Sequence, residues 1–142
     1  MPTSGYSGTP LPAKLGIKPG ALVCALHAPR DYAALLGRLP QGAQVRAKLS
    51  PKADIVHLFT ARKAELARAL KAYRAKLHPA AAIWVSWPKK ASRAPTDLTE
   101  DTIRAIALPL GLVDVKVCAV TEVWSGLKLV LRKELRRARG AP

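Results

Sequence analysis

Residues 81–90 read AAIWVSWPKK, an apolar run that ends abruptly at a proline and two lysines. The run from 81 to 87 does not alternate between polar and apolar residues, which is typical of a strand covered on both faces. Pro88 cannot donate to a neighbouring strand, so we expect it to end this strand and turn the chain outward. Lys89 and Lys90 then emerge at the carboxyl end of the strand.

Two further runs are continuously apolar in the same way: ALVCAL at 21–26 and DIVHLF at 54–59. Together with 81–87 they predict the central strands of one sheet, with helices on both faces. Alternating residues at 43–49 predict a half-exposed strand. Only residues 50–53 separate it from the 54–59 run, whereas a parallel crossover needs about a dozen residues. Either these two strands are antiparallel, or the 43–49 strand is a short irregular edge, and in both cases we expect a mixed sheet.

Three segments have the periodicity of an amphipathic helix. The first follows Asp31, which is placed to cap it. The clearest spans 62–77, and its apolar stripe has spacings of four, three and four residues: Leu66, Leu70, Tyr73 and Leu77. The third begins at Asp97, whose spacing from Glu100 fits a capping box, and its apolar face comprises Ile103, Ile106, Ala107 and Leu110.

Alternating segments at 113–121 and 127–133, joined by VWSG, predict a C-terminal antiparallel hairpin with Trp124 and Ser125 in the turn. Strands interleaved with helices indicate one α/β domain with a mixed sheet of about six strands. We divide the chain into an extended N-terminal lead-in at 1–19, the domain at 20–133 and a basic tail at 134–142. Residues 4–8 either fold as a lid over the crevice at the strand ends or stay disordered.

No apolar run approaches the ~20 residues of a membrane span, and the N-terminus lacks the apolar core of a signal peptide. We therefore expect a cytoplasmic protein with no membrane partner. Cys24 and Cys118 lie within apolar runs, which predicts buried, reduced thiols. The three histidines lack the spacing of metal ligands, so no metal site is predicted, and His57 is expected to be a hydrogen-bonded core residue.

The chain carries 24 Lys and Arg against 9 Asp and Glu, a formal charge of +15. Such an excess favours anionic partners, either a small molecule or a nucleic acid. Much of it lies in the 62–77 helix and at the C-terminus. A nucleic-acid interface would use five of these cations: Arg68, Lys71, Arg74, Arg136 and Arg137. The alternative is a solvated helix face and a basic tail.

Ligands of open α/β sheets bind beyond the carboxyl ends of the parallel strands. His27 and Arg30 follow the 21–26 strand, while Trp87, Lys89 and Lys90 come off the 81–87 strand. If those strands are neighbours, all five residues line one crevice. An indole beside two ammonium groups can stack a ring and pair with phosphate or carboxylate. The alternative is that Trp87 packs on the sheet and the lysines are solvated.

Residues 15–28, LGIKPGALVCALHA, resemble the start of a class I S-adenosylmethionine-dependent methyltransferase, and residues 108–133 resemble the last helix and terminal hairpin of that fold. Nearly the whole chain, above all SGYSGTPLPAKLGIKPG, WPKKASRAPTDLTED and LPLGLVDVKVCAV, resembles a bacterial family known only as a domain of unknown function. The resemblance implies a Rossmann-like, methyltransferase-like fold and brings no established activity.

The residues with which such folds hold a cofactor are not evident in the sequence. His27-Ala28-Pro29-Arg30 stands where glycines are needed for close approach to the ligand, and Pro29 lacks a backbone donor. Residues 49–52, LSPK, lack the acid that binds ribose hydroxyls. The sequence therefore identifies no cofactor and leaves three hypotheses. The leading one is a non-catalytic binder of an anionic ligand, and the others are a divergent methyltransferase and a nucleic-acid-binding protein.

Overall fold

The computed structural model describes residues 8–140, with side chains as far as residue 136. The strands are β1 (Leu22–Leu26), β2 (Gln44–Arg46), β3 (Ile55–Phe59), β4 (Ala82–Pro88), β5 (Leu112–Ala119) and β6 (Trp124–Leu131). The helices are α1 (Leu11–Leu15), α2 (Tyr32–Leu36), α3 (Lys63–Lys76), α4 (Glu100–Ala107) and α5 (Lys133–Gly140). Two short 3-10 turns, Lys90–Ser92 and Leu108–Leu110, flank α4.

One sheet contains all six strands in the order β2-β1-β3-β4-β6-β5. The first four pair in parallel, and β6 runs antiparallel to both β4 and β5. The predicted α/β mixed sheet and its C-terminal hairpin are therefore confirmed. The three apolar runs of the sequence form the adjacent strands β1, β3 and β4, because only strands with two covered faces need to be apolar throughout.

The short connection between β2 and β3 has a simple explanation in the topology. The two strands do not pair with each other, because β1 lies between them and is parallel to both. Of the two alternatives, the antiparallel pairing is wrong and the short edge strand is right. All three residues of β2 are exposed, as expected for a short edge strand.

Helices cover the two faces of the sheet with separate apolar clusters. On one face α3 and α4 contribute Leu66, Leu70, Tyr73, Ile103 and Ala107. On the other, α1 and α2 contribute Leu11, Leu15, Tyr32 and Leu36. Within the predicted lead-in, residues 11–15 are helical, because Leu11 and Leu15, at a spacing of four, pack against the sheet. The division of the chain into lead-in, domain and tail stays a prediction.

Three local predictions are corrected. Cys24 is buried, but Cys118 is only half-buried, since β5 is an edge strand; both thiols are free. Trp124 and Ser125 begin β6 rather than forming the turn, because Ser125 pairs with Ala119. The N-cap of α4 is Thr99, which forms the capping box with Thr102. Asp97 is therefore not the cap of this helix.

Asp97 instead closes the N-terminus of α3. Its Oδ1 accepts from the Lys63 N–H at 2.7 Å, and the hydroxyl of neighbouring Thr96 donates to the Ala61 carbonyl at 2.7 Å. A carboxylate at this end is stabilised by the unpaired N–H groups and the helix dipole. The loop after β4 is thereby fixed to the start of α3.

Candidate functional site

The topology marks one position on the sheet where a ligand crevice is expected. After β1 the chain moves outward to β2, whereas after β3 it moves the other way to β4. Such a reversal of strand order opens a crevice beyond the carboxyl ends of the two strands. We call this the switch crevice; it lies between the end of β1, at His27, and the end of β3, at Thr60.

His27 begins the turn that carries the chain off β1. Its backbone has φ of 57°, in the left-handed region that favours glycine. Side chains tolerate this region at some cost, so such residues cluster where a turn or a ligand demands the geometry. The His27 side chain is 65% exposed. The chain thus makes a glycine-type turn at this point without a glycine.

A carboxylate lies at the switch crevice opposite His27. Glu65, in the first turn of α3, places Oε1 3.8 Å from His27 Nδ1, and its side chain is 42% exposed. The same oxygen accepts a hydrogen bond from the Thr60 hydroxyl. Thr60 is buried and also accepts from the Arg62 N–H at 3.3 Å. Among residues 8–140, Glu65 Oε2 has no hydrogen-bond partner.

Glu65 and Thr60 were missed in the sequence, although a signal was present. Thr60 directly follows a predicted central strand, and Glu65 is the acid in the first turn of the next helix. Parallel strands and their following helices converge at the carboxyl edge of the sheet. Polar residues at those two positions were therefore candidates for the crevice.

A buried polar network lies below the crevice. Tyr32 Oη is 2.7 Å from His57 Nδ1, and His57 Nε2 is 2.7 Å from Ser86 Oγ. Burial lowers the pKa of His57 to about 3, so the ring is neutral near neutral pH. The prediction of a hydrogen-bonded core histidine is confirmed. The network joins α2, which follows the His27 turn, to the middle of β3 and β4.

The strands that carry the five residues predicted to line one crevice are not neighbours, so the condition for a shared crevice is not met. Because β3 separates β1 from β4, the ends of these two strands lie roughly 10 Å apart, two strand spacings. His27 and Arg30 are exposed beside β1, Lys90 is exposed and Lys89 half-buried beside β4. Trp87 is 7% exposed and packs in the α3/α4 core, so its indole offers no stacking face. The expectation of an indole platform beside the lysines is wrong.

A second concavity lies at the same edge of the sheet. Its volume is about 350 Å³, and it separates the turn after β1 from the β5–β6 hairpin. The lining residues are Pro29, Asp31, Leu35, Thr121, Glu122, Val123 and Trp124. Trp124 forms part of its floor and packs edge-to-face on Phe59, with ring centroids 5.1 Å apart. We call it the hairpin-side cavity; its lining begins at Pro29, two residues beyond His27.

The cations of the nucleic-acid hypothesis are differently placed. Arg68 and Lys71 lie exposed on α3, and Arg136 is exposed on α5. Arg74 is half-buried and its Nε donates to the Leu110 carbonyl at 2.8 Å, so it has a structural role. The side chain of Arg137 lies outside the described residues, as do residues 4–7 of the suggested lid. A nucleic-acid interface stays a prediction.

The residues that usually hold an adenosyl cofactor in such folds are missing here, so a cofactor would have to be held by a different set of residues. The turn after β1 has Pro29 and no glycine, and residues 47–49 after β2 provide no acid. Glu65 offers a carboxylate at the same edge, reached from α3 rather than from β2. No group of three or more potential metal ligands occurs in the part of the chain that the structure describes. None of the helices in that part has the length and apolar character of a membrane span.

The fold is that of the class I S-adenosylmethionine-dependent methyltransferases. The chain is similar to a methyltransferase of this kind from Aquifex aeolicus, with a TM-score of 0.61 and 12% identity over 82% of this chain and 85% of that one. It is similar to a tRNA methyltransferase of B. subtilis, with a TM-score of 0.58 and 12% identity over 95% of this chain and 70% of that one.

A third similar structure is the magnesium protoporphyrin IX methyltransferase of Synechocystis, with a TM-score of 0.51 and 14% identity over 80% of this chain and 74% of that one. No protein-family model matches the chain, and no curated protein sequence matches it. These likenesses define the class of fold. The resemblance to a bacterial family of unknown function stays a prediction.

Proposed function

We propose that this chain is a divergent S-adenosylmethionine-dependent methyltransferase that binds the cofactor in the switch crevice. The observation that carries the proposal is the Glu65 carboxylate, which lies at the point where the strand order reverses and keeps one oxygen without a partner among residues 8–140. Ligands of open α/β sheets bind at such a point. The proposal replaces the non-catalytic binder as our leading hypothesis.

Glu65 would take over the task of the acid that is missing after β2. Oε1 is held by the Thr60 hydroxyl, which fixes the carboxylate and leaves Oε2 to accept from vicinal ribose hydroxyls. Hydrogen bonds to a charged acceptor are the strong ones, so one carboxylate contributes substantially to affinity. The glycine-type turn at His27, with φ of 57°, starts at the end of β1 and would lie beside the same ligand.

When bound, the cofactor supplies an electrophilic methyl group on a sulfonium centre. The chain's own part would be to position a methyl acceptor, and the hairpin-side cavity of about 350 Å³ lies beside the His27 turn, where an acceptor could be placed. Trp124 and Leu35 give it apolar walls, and Asp31 and Glu122 supply carboxylates. A substrate amine or hydroxyl would be oriented there by these acids.

Calorimetric titration with S-adenosylmethionine tests the proposal. Wild-type protein should bind with a dissociation constant in the micromolar range, about −7 to −8 kcal/mol. Glu65→Gln keeps the acceptor for Thr60 and removes the charge, so binding should weaken about tenfold or more. Glu134→Gln, at an exposed position on α5, is the matched control and should bind like wild type. Absence of binding to the wild type contradicts the proposal.

A second candidate is a non-catalytic binder of an anionic ligand. Arg30, Lys89 and Lys90 lie at the carboxyl edge, and none has an acidic partner in the described part of the chain. Unpaired cations at such an edge attract phosphate or carboxylate groups. Titration with inorganic pyrophosphate in place of S-adenosylmethionine separates the two functions. Pyrophosphate has no ribose for Glu65, so binding of pyrophosphate would favour the non-catalytic binder.

A further inference from the structure

A cavity lies at the opposite end of the sheet from the switch crevice. Its volume is about 420 Å³, within the range of small-molecule sites. It is enclosed by the end of α1, the turn before β1 and the amino ends of β1, β3 and β4. The lining residues are Leu15, Gly16, Lys18, Pro19, Gly20, Ala21, Asp54, Ile55, Ala80, Ala82 and Lys128. We call it the amino-edge cavity.

Lys128 projects into this cavity from the middle of β6. A Cβ placed on Gly16 would lie 4.0 Å from Lys128 Nζ, so the ammonium lies against the backbone at the end of α1. The residue is half-buried, and it has no hydrogen-bond or ion-pair partner among residues 8–140. A lysine ammonium without a partner can form a charge-assisted hydrogen bond with a bound anion.

More positive charge surrounds Lys128 on the same face of the sheet. Lys116 is its direct neighbour across the β5–β6 pair, and like charges facing each other across strands are destabilising. The Lys116 ammonium donates to the Lys14 carbonyl at 3.4 Å, and Lys14 Nζ donates to the Ala119 carbonyl at 3.1 Å. Neither Lys116 nor Lys128 forms an ion pair with an acid in residues 8–140. The fold therefore places Lys116 and Lys128 side by side without an acidic partner in the described part of the chain.

The remaining lining residues restrict what such an anion could be. Leu15, Ile55 and Ala82 contribute apolar atoms to the lining, so an apolar ring or chain can be placed beside the lysine. Lys18 is a second exposed cation on the rim. Among the lining residues, Asp54 is the acidic one, and its Oδ2 accepts a hydrogen bond from the Leu22 N–H at 2.8 Å. A ligand anion is repelled from the Asp54 side and directed towards Lys128.

We propose that the amino-edge cavity binds a small molecule that joins an apolar ring or chain to a single anionic group. The anion is a carboxylate, phosphate or sulfonate held by Lys128 with help from Lys18. The apolar body packs on Leu15, Ile55 and Ala82. This site lies at the other edge of the sheet from the switch crevice and does not depend on the proposed function.

Two fluorescent probes with nearly the same ring system test the proposal. Anilinonaphthalene sulfonate is an apolar body with one anion, and N-phenylnaphthylamine lacks the anion. Wild-type protein should bind the sulfonate about tenfold more tightly than the uncharged probe, as expected for one charge-assisted contact. Lys128→Met should remove most of this difference, while Lys133→Met, an exposed lysine on α5, should preserve it.

Further measurements keep the proposal falsifiable. Lys18→Met changes an exposed residue and should weaken sulfonate binding less than Lys128→Met, which covers the case in which the Lys128 variant folds poorly. Binding of S-adenosylmethionine should be the same in the wild type and in Lys18→Met, so failure of one site is distinguishable from failure of the other. Equal affinity for the two probes, or sulfonate binding unaffected by both variants, would overturn the proposal.

Discussion

Tyr32 Oη and His57 Nδ1 lie 2.7 Å apart in the apolar core, and this contact ties the helix that follows the His27 turn to the centre of the sheet. The ring of His57 is fully buried and also meets the Ser86 hydroxyl at 2.7 Å. With burial holding its pKa down at about 3, the imidazole stays neutral in the folded protein. The floor beneath the switch crevice therefore does not change charge near neutral pH.

The first prediction concerns acid stability. The folded pKa of His57 is depressed to about 3, below the ordinary value of 6.5, so the unfolded chain binds a proton that the folded protein excludes. Stability is therefore fully present above about pH 6.5 and falls as the pH drops towards 3, by up to about 1.4 kcal/mol per pH unit. Urea unfolding between pH 4 and 7 should show this slope reduced in His57→Gln.

The control for this measurement is His78→Gln, which changes an exposed histidine and should leave the slope as in the wild type. Baseline stability of His57→Gln does not enter the test, because only the slopes are compared. If the slope of His57→Gln equals that of the wild type, His57 is not the group that the folded protein keeps unprotonated.

The second prediction concerns the start of α3. Replacing Asp97 with Ala removes the acceptor of the Lys63 N–H and should lower the free energy of unfolding by about 1 kcal/mol, as for the loss of a helix cap. Asp101→Ala is the matched control, because that side chain is 96% exposed and pairs with Arg104 at the surface. Its expected cost is below about 0.5 kcal/mol. Equal losses in chemical denaturation would refute the assignment of Asp97.

These cases show which parts of the structure could be predicted. The strands β1, β3 and β4 were evident because burial on two faces forces a continuous apolar run. The role of Asp97 was not evident, because its partner Lys63 is distant in sequence and a local capping pattern also fitted it. The burial of Trp87 was missed for a similar reason, since the helices α3 and α4 that cover it are only brought there by the fold.

The candidate site was predictable in location and not in composition. The carboxyl edge follows from the strand pattern alone, which is why His27 was found. Convergence with Lys89 depended on the strand order, and the insertion of β3 between β1 and β4 removes it. Glu65 reaches the crevice from a helix, so its proximity to His27 required the packing of α3 as well as the order of strands.

Thiol reactivity gives the third prediction. Cys24 is fully buried, whereas Cys118 is half-buried and has its thiol pKa raised by burial. One thiol per chain should therefore react slowly with a maleimide at neutral pH, and the second only after unfolding. Cys118→Ser should abolish the slow reaction. Labelling of native Cys24 ahead of Cys118 would contradict the placement of β1 at the centre of the sheet.

The fourth prediction separates the two candidate functions. Replacing both Lys89 and Lys90 with Ala should weaken pyrophosphate binding at low salt, and less at high salt where the contact is already screened. The free energy of unfolding should change by no more than about 0.5 kcal/mol. The variant Arg68→Ala/Lys71→Ala removes the same charge from the exposed face of α3 and is the control. If both variants bind pyrophosphate like the wild type, the two lysines are simply solvated.

The most direct test of the central claim measures the energetic coupling between the Glu65 carboxylate and the ribose hydroxyls of the cofactor. S-adenosylhomocysteine and its 2′,3′-dideoxy analogue are titrated into the wild type and Glu65→Gln, and the four affinities form a double-mutant cycle. If Glu65 accepts from the ribose hydroxyls, their removal should cost the wild type about tenfold or more in affinity. The same removal should then cost Glu65→Gln far less, with a coupling energy of about 1 kcal/mol or more. A coupling energy near zero, or no binding of S-adenosylhomocysteine by the wild type, would contradict the account.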